Sequence, residues 1–152
     1  MTKLKRVLVP VLALLLGLVI GAYLFSQTQP RSLLALRDCQ GTCLNANEIV
    51  GLLASVGINR LPGFIPKVVK ETDKTIAIEH PAPTARIHYL ILPKRDLKNF
   101  SELTADDREY IVDLYAVTAE LIREQKLTDY QVISNGPARQ GATYLHFHLV
   151  SR

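Results

Sequence analysis

The C-terminal stretch of the chain, residues 143–150, reads Thr143-Tyr144-Leu145-His146-Phe147-His148-Leu149-Val150. A β-strand sends alternate side chains to opposite faces, so Leu145, Phe147 and Leu149 are expected on one face. Tyr144, His146 and His148 then share the other face. The apolar face predicts packing in a core, and the two imidazoles predict a polar site on the opposite side.

A polar loop precedes this strand and reads Asn135-Gly136-Pro137-Ala138-Arg139-Gln140-Gly141. Its amide side chains and glycine-turn N–H groups, together with two imidazoles, suit a phosphate-sized anion. The His-x-His spacing equally suits two zinc ligands from one strand, with His80 or His88 completing the set. It also occurs by chance on protein surfaces. The spacing alone leaves a phosphate site, a metal site and an accidental pair as alternatives.

The periodicity of the preceding residues predicts two helices and three more strands. β-rich runs predict strands at residues 74–80, 87–92 and 130–134. Apolar residues at three- and four-residue spacing predict a shorter helix over Asn47–Val56, ended by Gly57, and a long helix from Thr104 to about Lys126. The residues after the N-terminal stretch are therefore expected to form a domain with both helices and strands.

Composition limits the chain to one such domain. It has 152 residues, 48% hydrophobic and 21% charged, which allows one globular domain with an accessory segment. The net charge is +4, but three of the 18 basic residues precede the first apolar run, which leaves 15 against 14 acidic ones. A protein that neutralises many phosphates needs a basic surplus in its folded part, so we do not expect a nucleic-acid partner.

The N-terminus carries the pattern of a membrane segment. Residues 7–25 contain no charge, and as a helix they would span about 28 Å, close to the thickness of the bilayer core. A cleaved secretory signal is the alternative, which would make the domain secreted. We expect a basic cytoplasmic start at 1–6, a transmembrane helix or signal anchor at 7–25, a linker at 26–37 and the domain at 38–152.

The charges that flank this segment predict its orientation. Lys3, Lys5 and Arg6 precede the segment, so the positive-inside rule keeps the N-terminus cytoplasmic and the domain extracytoplasmic. In an oxidising compartment Cys39 and Cys43 could close a small disulfide loop. Two free thiols, or half of a metal site, are the alternatives.

About half of the chain, from Thr75 to Arg152, resembles the histidine-triad superfamily, and in particular its Hint-like bacterial branch. The segments that carry the resemblance are residues 78–83 (IEHPAP), 88–94 (HYLILPK), the long helix after Leu103, the loop from Asn135 to Gln140, and residues 145–149 (LHFHL). The resemblance implies an α+β fold that has an antiparallel sheet, one long helix and a shorter N-terminal helix, and it implies a homodimer. It also implies a nucleotide-type ligand and no required metal or other cofactor.

Catalytic roles come from the same resemblance. Its His-φ-His-φ-His motif places Tyr144, His146 and His148 on the three histidine positions, so the first histidine is missing. His146 matches the nucleophile, His148 matches the histidine that holds the phosphate, and Gln140 matches a glutamine near the leaving group. A register shifted by two residues would make His148 the nucleophile instead.

Other positions match less closely. Gly141 stands where relatives carry a serine, and Asp96 stands where many carry another histidine. His80 lies near a ribose-contacting position, and His88 near the active centre. With Asn135, Gly141 and Tyr144, these two histidines complete the expected nucleotide-binding set.

The resemblance implies an enzyme, a nucleotide hydrolase or transferase. It would cleave at the α-phosphorus of a nucleoside phosphoramidate or dinucleoside polyphosphate through a nucleotidyl-histidine. A catalytically weak or inactive nucleotide-binding domain and a histidine-based metal-binding module are the alternatives.

Overall fold

The computed structural model describes residues 3–36, 41 and 43–152. Within these residues, two α-helices and five β-strands form an α+β domain, and a further α-helix precedes it. The helices are α1 (Lys3–Phe25), α2 (Ala46–Arg60) and α3 (Arg108–Glu124). The strands are β1 (Val68–Glu71), β2 (Thr75–Glu79), β3 (Ile87–Pro93), β4 (Gln131–Ser134) and β5 (Phe147–Ser151).

The strands pair throughout as an antiparallel sheet in the order β1-β2-β3-β5-β4. Strand β5 therefore lies between β3 and β4, where Leu90 pairs with His148. The predicted α+β fold with an antiparallel sheet, one long helix and a shorter helix is confirmed. Strand β1 was not predicted, and it pairs with β2 at the sheet edge.

The last strand is shorter than its alternating sequence predicts. The ladder begins at Phe147, because the preceding backbone groups find partners outside the sheet. Leu145 donates its N–H to the carbonyl of Leu97, and Tyr144 donates to Ala142. The alternation of side chains nevertheless continues back to Tyr144, so His146 occupies the residue just before the strand.

The main core lies between one face of the sheet and α3. Leu145, Phe147 and Leu149 are buried there against α3 residues such as Leu114 and Leu121, as predicted. The opposite face of the sheet meets α2, where Ile76, Leu92 and Tyr144 form a second cluster with Ile58.

The two domain helices begin as their sequences indicate, but α2 ends later than predicted. Thr104 donates its backbone N–H and its hydroxyl to the Asp107 carboxylate, in front of α3. Asn45 caps α2 by accepting from the N–H of Glu48. The helix continues past Gly57 to Arg60, so the prediction that Gly57 ends it was wrong. One glycine in a helix costs only about 1 kcal/mol, which the packing of α2 can offset.

A different glycine sets how close α2 lies to the segment before β5. A Cβ built on Gly51 would meet the carbonyl oxygen of Thr143 at 2.3 Å. Thr143 also donates its N–H to the carbonyl of Asn47, at 2.9 Å. The backbones of α2 and the segment leading to His146 thus touch directly, which only glycine allows.

Helix α1 is apolar, and its described side chains are largely exposed. The stretch Arg6–Phe25 is long and apolar enough to cross a membrane, with a mean hydropathy of 2.7 and no part of it buried. A signal sequence passes the same test of length and composition. The C-terminal end of α1 contacts α2, because the Arg60 guanidinium lies over the Tyr23 ring, 4.6 Å from its centroid.

The residues after α1 are bound to the domain through Asp96. The backbone N–H of Gln29 donates to Asp96 Oδ2 at 2.7 Å, and its side-chain amide donates to the Asp96 carbonyl at 2.8 Å. The Arg31 guanidinium pairs with Asp96 Oδ1, and both side chains are almost fully buried. We refer to Gln29, Arg31 and Asp96 as the Asp96 anchor.

The cysteine pair is described only in part. Cys43 is disulfide-bonded, whereas Cys39 lies outside the described residues, so the Cys39–Cys43 pairing stays a prediction.

Candidate active site

All four histidines of the chain lie together, although they come from two separate parts of the sequence. The cluster consists of His80, His88, His146 and His148. The rings of His146 and His148 are 4.9 Å apart between centroids, and those of His88 and His148 are 5.2 Å apart. Strand pairing produces this arrangement, since β3 follows His80 after a short loop and runs beside β5. We call these four residues the histidine cluster.

His146 is oriented by the backbone of its own strand segment. Its Nδ1 lies 2.7 Å from the carbonyl oxygen of Tyr144. A carbonyl can only accept, so Nδ1 must carry the proton, and Nε2 of the neutral ring keeps a free lone pair. Its side chain lines a cavity although the residue is only 8% exposed. This is the geometry that an imidazole nucleophile requires.

A chain of hydrogen bonds gives His148 the opposite tautomer. His88 Nδ1 accepts from the N–H of Thr84 at 3.3 Å, so a neutral His88 carries its proton on Nε2. That nitrogen lies 2.9 Å from His148 Nδ1 and donates to it. His148 therefore carries its proton on Nε2, as a donor. The two histidines of the last strand are thus unequal: His146 offers a lone pair and His148 offers an N–H.

His80 completes the cluster by stacking. Its ring lies parallel to that of His88, with centroids 4.0 Å apart and an interplanar angle of 14°. Its Nδ1 accepts from the N–H of Ala82 at 3.0 Å, which leaves Nε2–H as a further donor. His80 also lines the cavity that contains His146 and His148.

The surroundings of the cluster favour neutral imidazoles. Burial, followed by repulsion from the positive charges that His146, His88 and His80 would carry, lowers the pKa of His148 to about 4. Burial is also the largest cause that lowers the pKa of His146, opposed by its hydrogen bond to Tyr144 and assisted by His80. Burial followed by repulsion from His80 lowers the pKa of His88. At neutral pH the rings of His88, His146 and His148 are therefore uncharged, as their assigned tautomers require.

The cavity beside the cluster has a volume of about 570 Å³. At one end His80, His146 and His148 face it, with Asn135 from the loop after β4. Its remaining wall is mostly aliphatic and comes from β2, β3, α2 and the turn after α2. This wall includes Ile76, Ile78, Leu90, Leu92, Ala54 and Ile65. An apolar slot with polar groups at one end is typical of a small-molecule site.

The predicted loop residues divide between the cavity and its support. Asn135 and Gly141 line the cavity, and the Asn135 amide nitrogen lies 3.4 Å from His148 Nε2. A half-turn of that amide would present its oxygen to the His148 proton. Gln140 is buried, and its backbone carbonyl accepts from Asn47 at 2.9 Å. Its Nε2 has no partner among the described groups, and its contact with a leaving group stays a prediction.

Tyr144, which occupies the first triad position, contributes its ring to the cavity wall and its hydroxyl to the protein interior. The hydroxyl donates to the carbonyl of Pro93 at 2.6 Å and lies 3.1 Å from that of Arg95. Burial raises the pKa of Tyr144 far above its usual value, so this hydroxyl stays protonated. Its role at this site is therefore to shape the wall and to hold the backbone after β3.

Three of the histidines could also hold a metal ion. His80, His88 and His148 each offer a ring nitrogen, and these atoms all lie within 4.8 Å of one another. A metal would have to replace the His88–His148 hydrogen bond and take lone pairs from nitrogens that the backbone contacts leave protonated. The parallel rings of His80 and His88 would also have to turn for their lone pairs to converge.

Some supporting groups were not predicted from the sequence. The Thr84 N–H fixes the tautomer of His88, and the Ser134 hydroxyl donates to the carbonyl of His146 at 3.2 Å. The Pro-rich connection before β3 and the end of β4 mark these places only as turn and strand end. The aliphatic wall from α2 was missed as well, since the amphipathic pattern of α2 indicates burial without saying against what.

The comparisons with known proteins agree with this geometry. Residues 65–152 match the protein family described as scavenger mRNA decapping enzyme C-terminal binding. Because this match covers more than half of the chain, the chain belongs to that family and thereby to the histidine-triad superfamily.

Individual relatives extend this assignment. A HIT-like protein of Synechococcus elongatus is 34% identical over 86 residues, covering 55% of this chain and 75% of the relative. The crystal structure of a HIT family hydrolase from Legionella pneumophila shares 25% identity, with a TM-score of 0.57, over 62% of this chain and 88% of that one. A histidine triad nucleotide-binding protein of Candida albicans shares 28% identity, with a TM-score of 0.52, over 62% and 71% of the two chains. The chain is thus similar to a family of hydrolases.

Proposed function

We propose that this chain is a membrane-anchored nucleotide hydrolase or transferase that forms a nucleotidyl-histidine on His146. The observation that carries the proposal is the hydrogen bond from His146 Nδ1 to the Tyr144 carbonyl, because it leaves the Nε2 lone pair facing the cavity. The name of the Candida albicans relative supports a nucleotide as the ligand. The substrate class is a nucleoside phosphoramidate or a dinucleoside polyphosphate.

The unequal tautomers define the chemical steps. His146 Nε2 attacks the α-phosphorus in line, and the bond to the leaving nitrogen or oxygen breaks as that group departs with its electron pair; a leaving nitrogen also takes up a proton from the solvent. His148 Nε2–H and the loop amides stabilise charge on the non-bridging oxygens. Water then attacks the same phosphorus, breaks the N–P bond and frees His146. The first step needs no proton to leave the nucleophile, which explains why a neutral His146 suffices.

The experiment that tests this function is a single-turnover trap. The full-length protein in detergent is mixed with adenosine 5′-phosphoramidate or diadenosine tetraphosphate, quenched within milliseconds and analysed as intact protein by mass spectrometry. An adenylyl adduct is expected on the wild type and absent from His146→Asn. An adduct that persists in His146→Asn and disappears in His148→Asn would show that the register is shifted by two residues.

A nucleotide-binding domain without turnover is the nearest alternative, because the first triad histidine and the loop serine are both missing. Equilibrium binding of AMP without any adduct or hydrolysis would establish it. The chain would then hold a nucleotide between the histidine cluster and the aliphatic wall without chemistry.

A metal-binding module is favoured by one specific observation, the 4.8 Å grouping of three histidine nitrogens. Zinc measured by emission spectroscopy after purification without chelators decides it. Stoichiometric zinc that is lost in both His80→Asn and His88→Asn would replace the hydrolase proposal with a metal site.

The membrane placement is part of the proposal. With Lys3, Lys5 and Arg6 before the apolar helix, we expect a single-pass protein with a cytoplasmic N-terminus and an extracytoplasmic domain. Protease added to spheroplasts should remove the domain, and full protection would contradict this orientation. A mature N-terminus beyond residue 20 would show instead that the segment is cleaved.

We further propose a homodimer and the Cys39–Cys43 disulfide. Strand β4 lies at the sheet edge, with Val132 and Ile133 exposed, and so offers an unpaired edge to a second copy. Sedimentation of the detergent-solubilised protein measures the oligomeric state, and a monomer would refute the dimer. Equal thiol labelling with and without reductant would refute the disulfide.

A further inference from the structure

The cavity of the histidine cluster opens onto a group of exposed apolar side chains. Val50 and Leu53 lie on α2, and Phe64 lies in the turn after it; all three line the cavity. They are 47%, 65% and 85% exposed, respectively. Large apolar side chains that gather at the edge of a cavity and face solvent indicate an apolar partner. We call these three residues the apolar rim.

The end of α1 contacts Arg60, which lies between the α2 and Phe64 parts of the apolar rim in sequence. Arg60, at the end of α2, packs over the ring of Tyr23 and donates to the hydroxyl of Ser26, just after α1. Phe64 comes four positions after Arg60 in the chain. Tyrosines are enriched where membrane helices meet water, so Tyr23 marks the interface if α1 spans the bilayer. The apolar rim is then within reach of the lipid surface.

The Asp96 anchor keeps the domain in this position. Only Ser26, Gln27 and Thr28 separate Phe25 from Gln29, which is held by two hydrogen bonds to Asp96. At full extension the chain from Phe25 to Gln29 spans about 14 Å, so Asp96 cannot move far from the end of α1. If α1 spans the bilayer, the anchor and the Tyr23–Arg60 contact together keep the domain close to the membrane surface.

We infer that the substrate of the histidine cluster is an amphiphile from the membrane, a nucleoside diphosphate esterified to a lipid. Its phosphoanhydride would lie at the histidine end of the cavity, and its alkyl part would cross the apolar rim into the bilayer. This inference rests on the proposed function, whose substrate it specifies. A fully water-soluble nucleotide would leave the apolar rim without an occupant.

The reaction needs water alone as co-substrate. His146 Nε2 forms a bond to the phosphorus attached to the nucleoside, the bond from that phosphorus to the bridging oxygen breaks, and the lipid phosphate leaves with the electron pair. Water then breaks the N–P bond, and the products are a nucleoside monophosphate and a lipid phosphate, with two protons released when both products are dianions. Nothing is oxidised or reduced. One product stays in the membrane and the other enters the aqueous phase.

The test compares substrates that differ only in their acyl chains. The full-length protein is reconstituted into phosphatidylcholine vesicles and supplied with CDP-dioleoylglycerol or ADP-dioleoylglycerol, or with CDP-glycerol or ADP-glycerol. Release of nucleoside monophosphate is measured, and adenosine 5′-phosphoramidate serves as a separate substrate for the proposed function. We expect kcat/KM for at least one lipid form to exceed that of its acyl-free counterpart at least tenfold.

Variants of the rim show whether it causes that preference. In Leu53→Ser/Phe64→Ser the ratio of lipid to acyl-free rates should fall at least tenfold, whereas Phe64→Leu should keep most of it. Val112→Ser removes an equally exposed apolar side chain from α3 and should leave the wild-type ratio. All three positions are at the surface, so these variants are expected to fold.

Two kinds of result would overturn the inference. Equal rates with and without acyl chains, or no cleavage of any of the four substrates, would exclude a lipid-linked substrate. A lipid preference that survives in Leu53→Ser/Phe64→Ser would mean that tethering alone causes it. In each case, adduct formation from the phosphoramidate on His146 would leave the proposed function standing, and its absence would remove both.

Discussion

The histidine cluster and the Asp96 anchor both lie beside strands β3 and β5, but they differ in whether their buried side chains are charged. The histidine cluster holds four titratable rings near one stretch of this strand pair and keeps its buried members uncharged. The Asp96 anchor, just after β3, buries a full ion pair in which the Arg31 and Asp96 side chains are 2% and 1% exposed. Tyr144 lies between them, with its ring in the cavity wall and its hydroxyl on the backbone before Asp96.

This difference separates the proposed catalysis from the attachment of the residues that follow α1. Neutral imidazoles carry no charge that needs a counterion. They can therefore exchange one hydrogen bond for another when a phosphate enters. A buried ion pair is fixed, since removal of either partner leaves an uncompensated charge in a medium of low polarity. The changes with the largest effect on reaction rate should therefore fall in the histidine cluster, and those with the largest effect on attachment of the linker should fall in the anchor.

The largest expected effect is the loss of the nucleophile. His146→Asn should abolish the adduct and lower turnover by about 10⁴-fold or more, as expected when a covalent nucleophile is removed. Nucleotide affinity should largely survive, because the aliphatic wall and His148 remain. Turnover is measured on the phosphoramidate and affinity by calorimetry with AMP. Wild-type turnover in this variant would refute the assigned role of His146.

Loss of His148 should cost less. His148→Asn removes the Nε2–H donor, and removal of one preorganised donor lowers the rate by about 10² to 10³, on the order of 3 to 4 kcal/mol. The adduct should still form, more slowly, and substrate should bind more weakly. Rapid-quench kinetics separates the two effects. Should His148→Asn match His146→Asn in losing the adduct entirely, the distinction between lone pair and donor fails.

A substitution in the Asp96 anchor should loosen the residues that follow α1 and should not change the reaction rate. Asp96→Asn leaves the Arg31 guanidinium without its carboxylate, and breaking a buried pair costs about 3 kcal/mol or more. The linker should then be released about a hundredfold more often. Limited proteolysis within residues 26–36 and hydrogen exchange at Gln29 measure this release. Asp106→Asn, which changes an exposed carboxylate on the same domain, serves as control, and equal protection in both variants would contradict the anchor.

The sequence predicted the cluster far better than the anchor. Alternation of side chains and the resemblance to a family were enough to bring His146 and His148 to one face, because a period of two follows directly from strand geometry. Where the ladder begins was not predictable, since it depends on Leu145 donating its N–H to Leu97, 48 residues earlier in the chain.

No local sequence pattern predicted the Asp96 anchor. Asp96 lies 65 residues from Arg31, and a pairing over that distance follows from the final packing of the chain. Position 96 was notable only because relatives carry another residue there. The tautomer of His88 was hidden for a similar reason, because it depends on a backbone N–H at Thr84 that has no distinctive side-chain pattern.

A substitution at Tyr144, which lies between the histidine cluster and the Asp96 anchor, tests whether its hydroxyl acts in the site or supports the fold. Tyr144→Phe keeps the ring in the cavity wall but removes the donor to the carbonyls of Pro93 and Arg95, which should cost about 1 to 2 kcal/mol of unfolding free energy. Denaturant unfolding measures the loss, with Tyr115→Phe as an exposed control. The adduct should still form. If stability is unchanged while the adduct is lost, the Tyr144 hydroxyl acts in the site and not in its support.

The smallest expected effect is that of pH on the rate. Burial holds the pKa of His148 at about 4 and lowers that of His146 and His88, so the folded protein keeps these rings neutral below pH 6.5. We expect kcat/KM, measured on a substrate that does not titrate in this range, to fall less between pH 7.5 and 5.5 than it would with a nucleophile of ordinary pKa. A nucleophile with the ordinary histidine pKa of about 6.5 would lose about tenfold over the same interval. His80→Asn removes one neighbour whose charge lowers all three pKa values and should move the acid limb upward. The free energy of unfolding should also fall as the pH is lowered. Below about pH 6.5 the histidines of the unfolded chain take up protons while those of the folded site do not, so unfolding becomes easier towards pH 4. An acid limb at pH 6.5 in the wild type would mean that the histidine cluster is no more shielded from protonation than an exposed histidine.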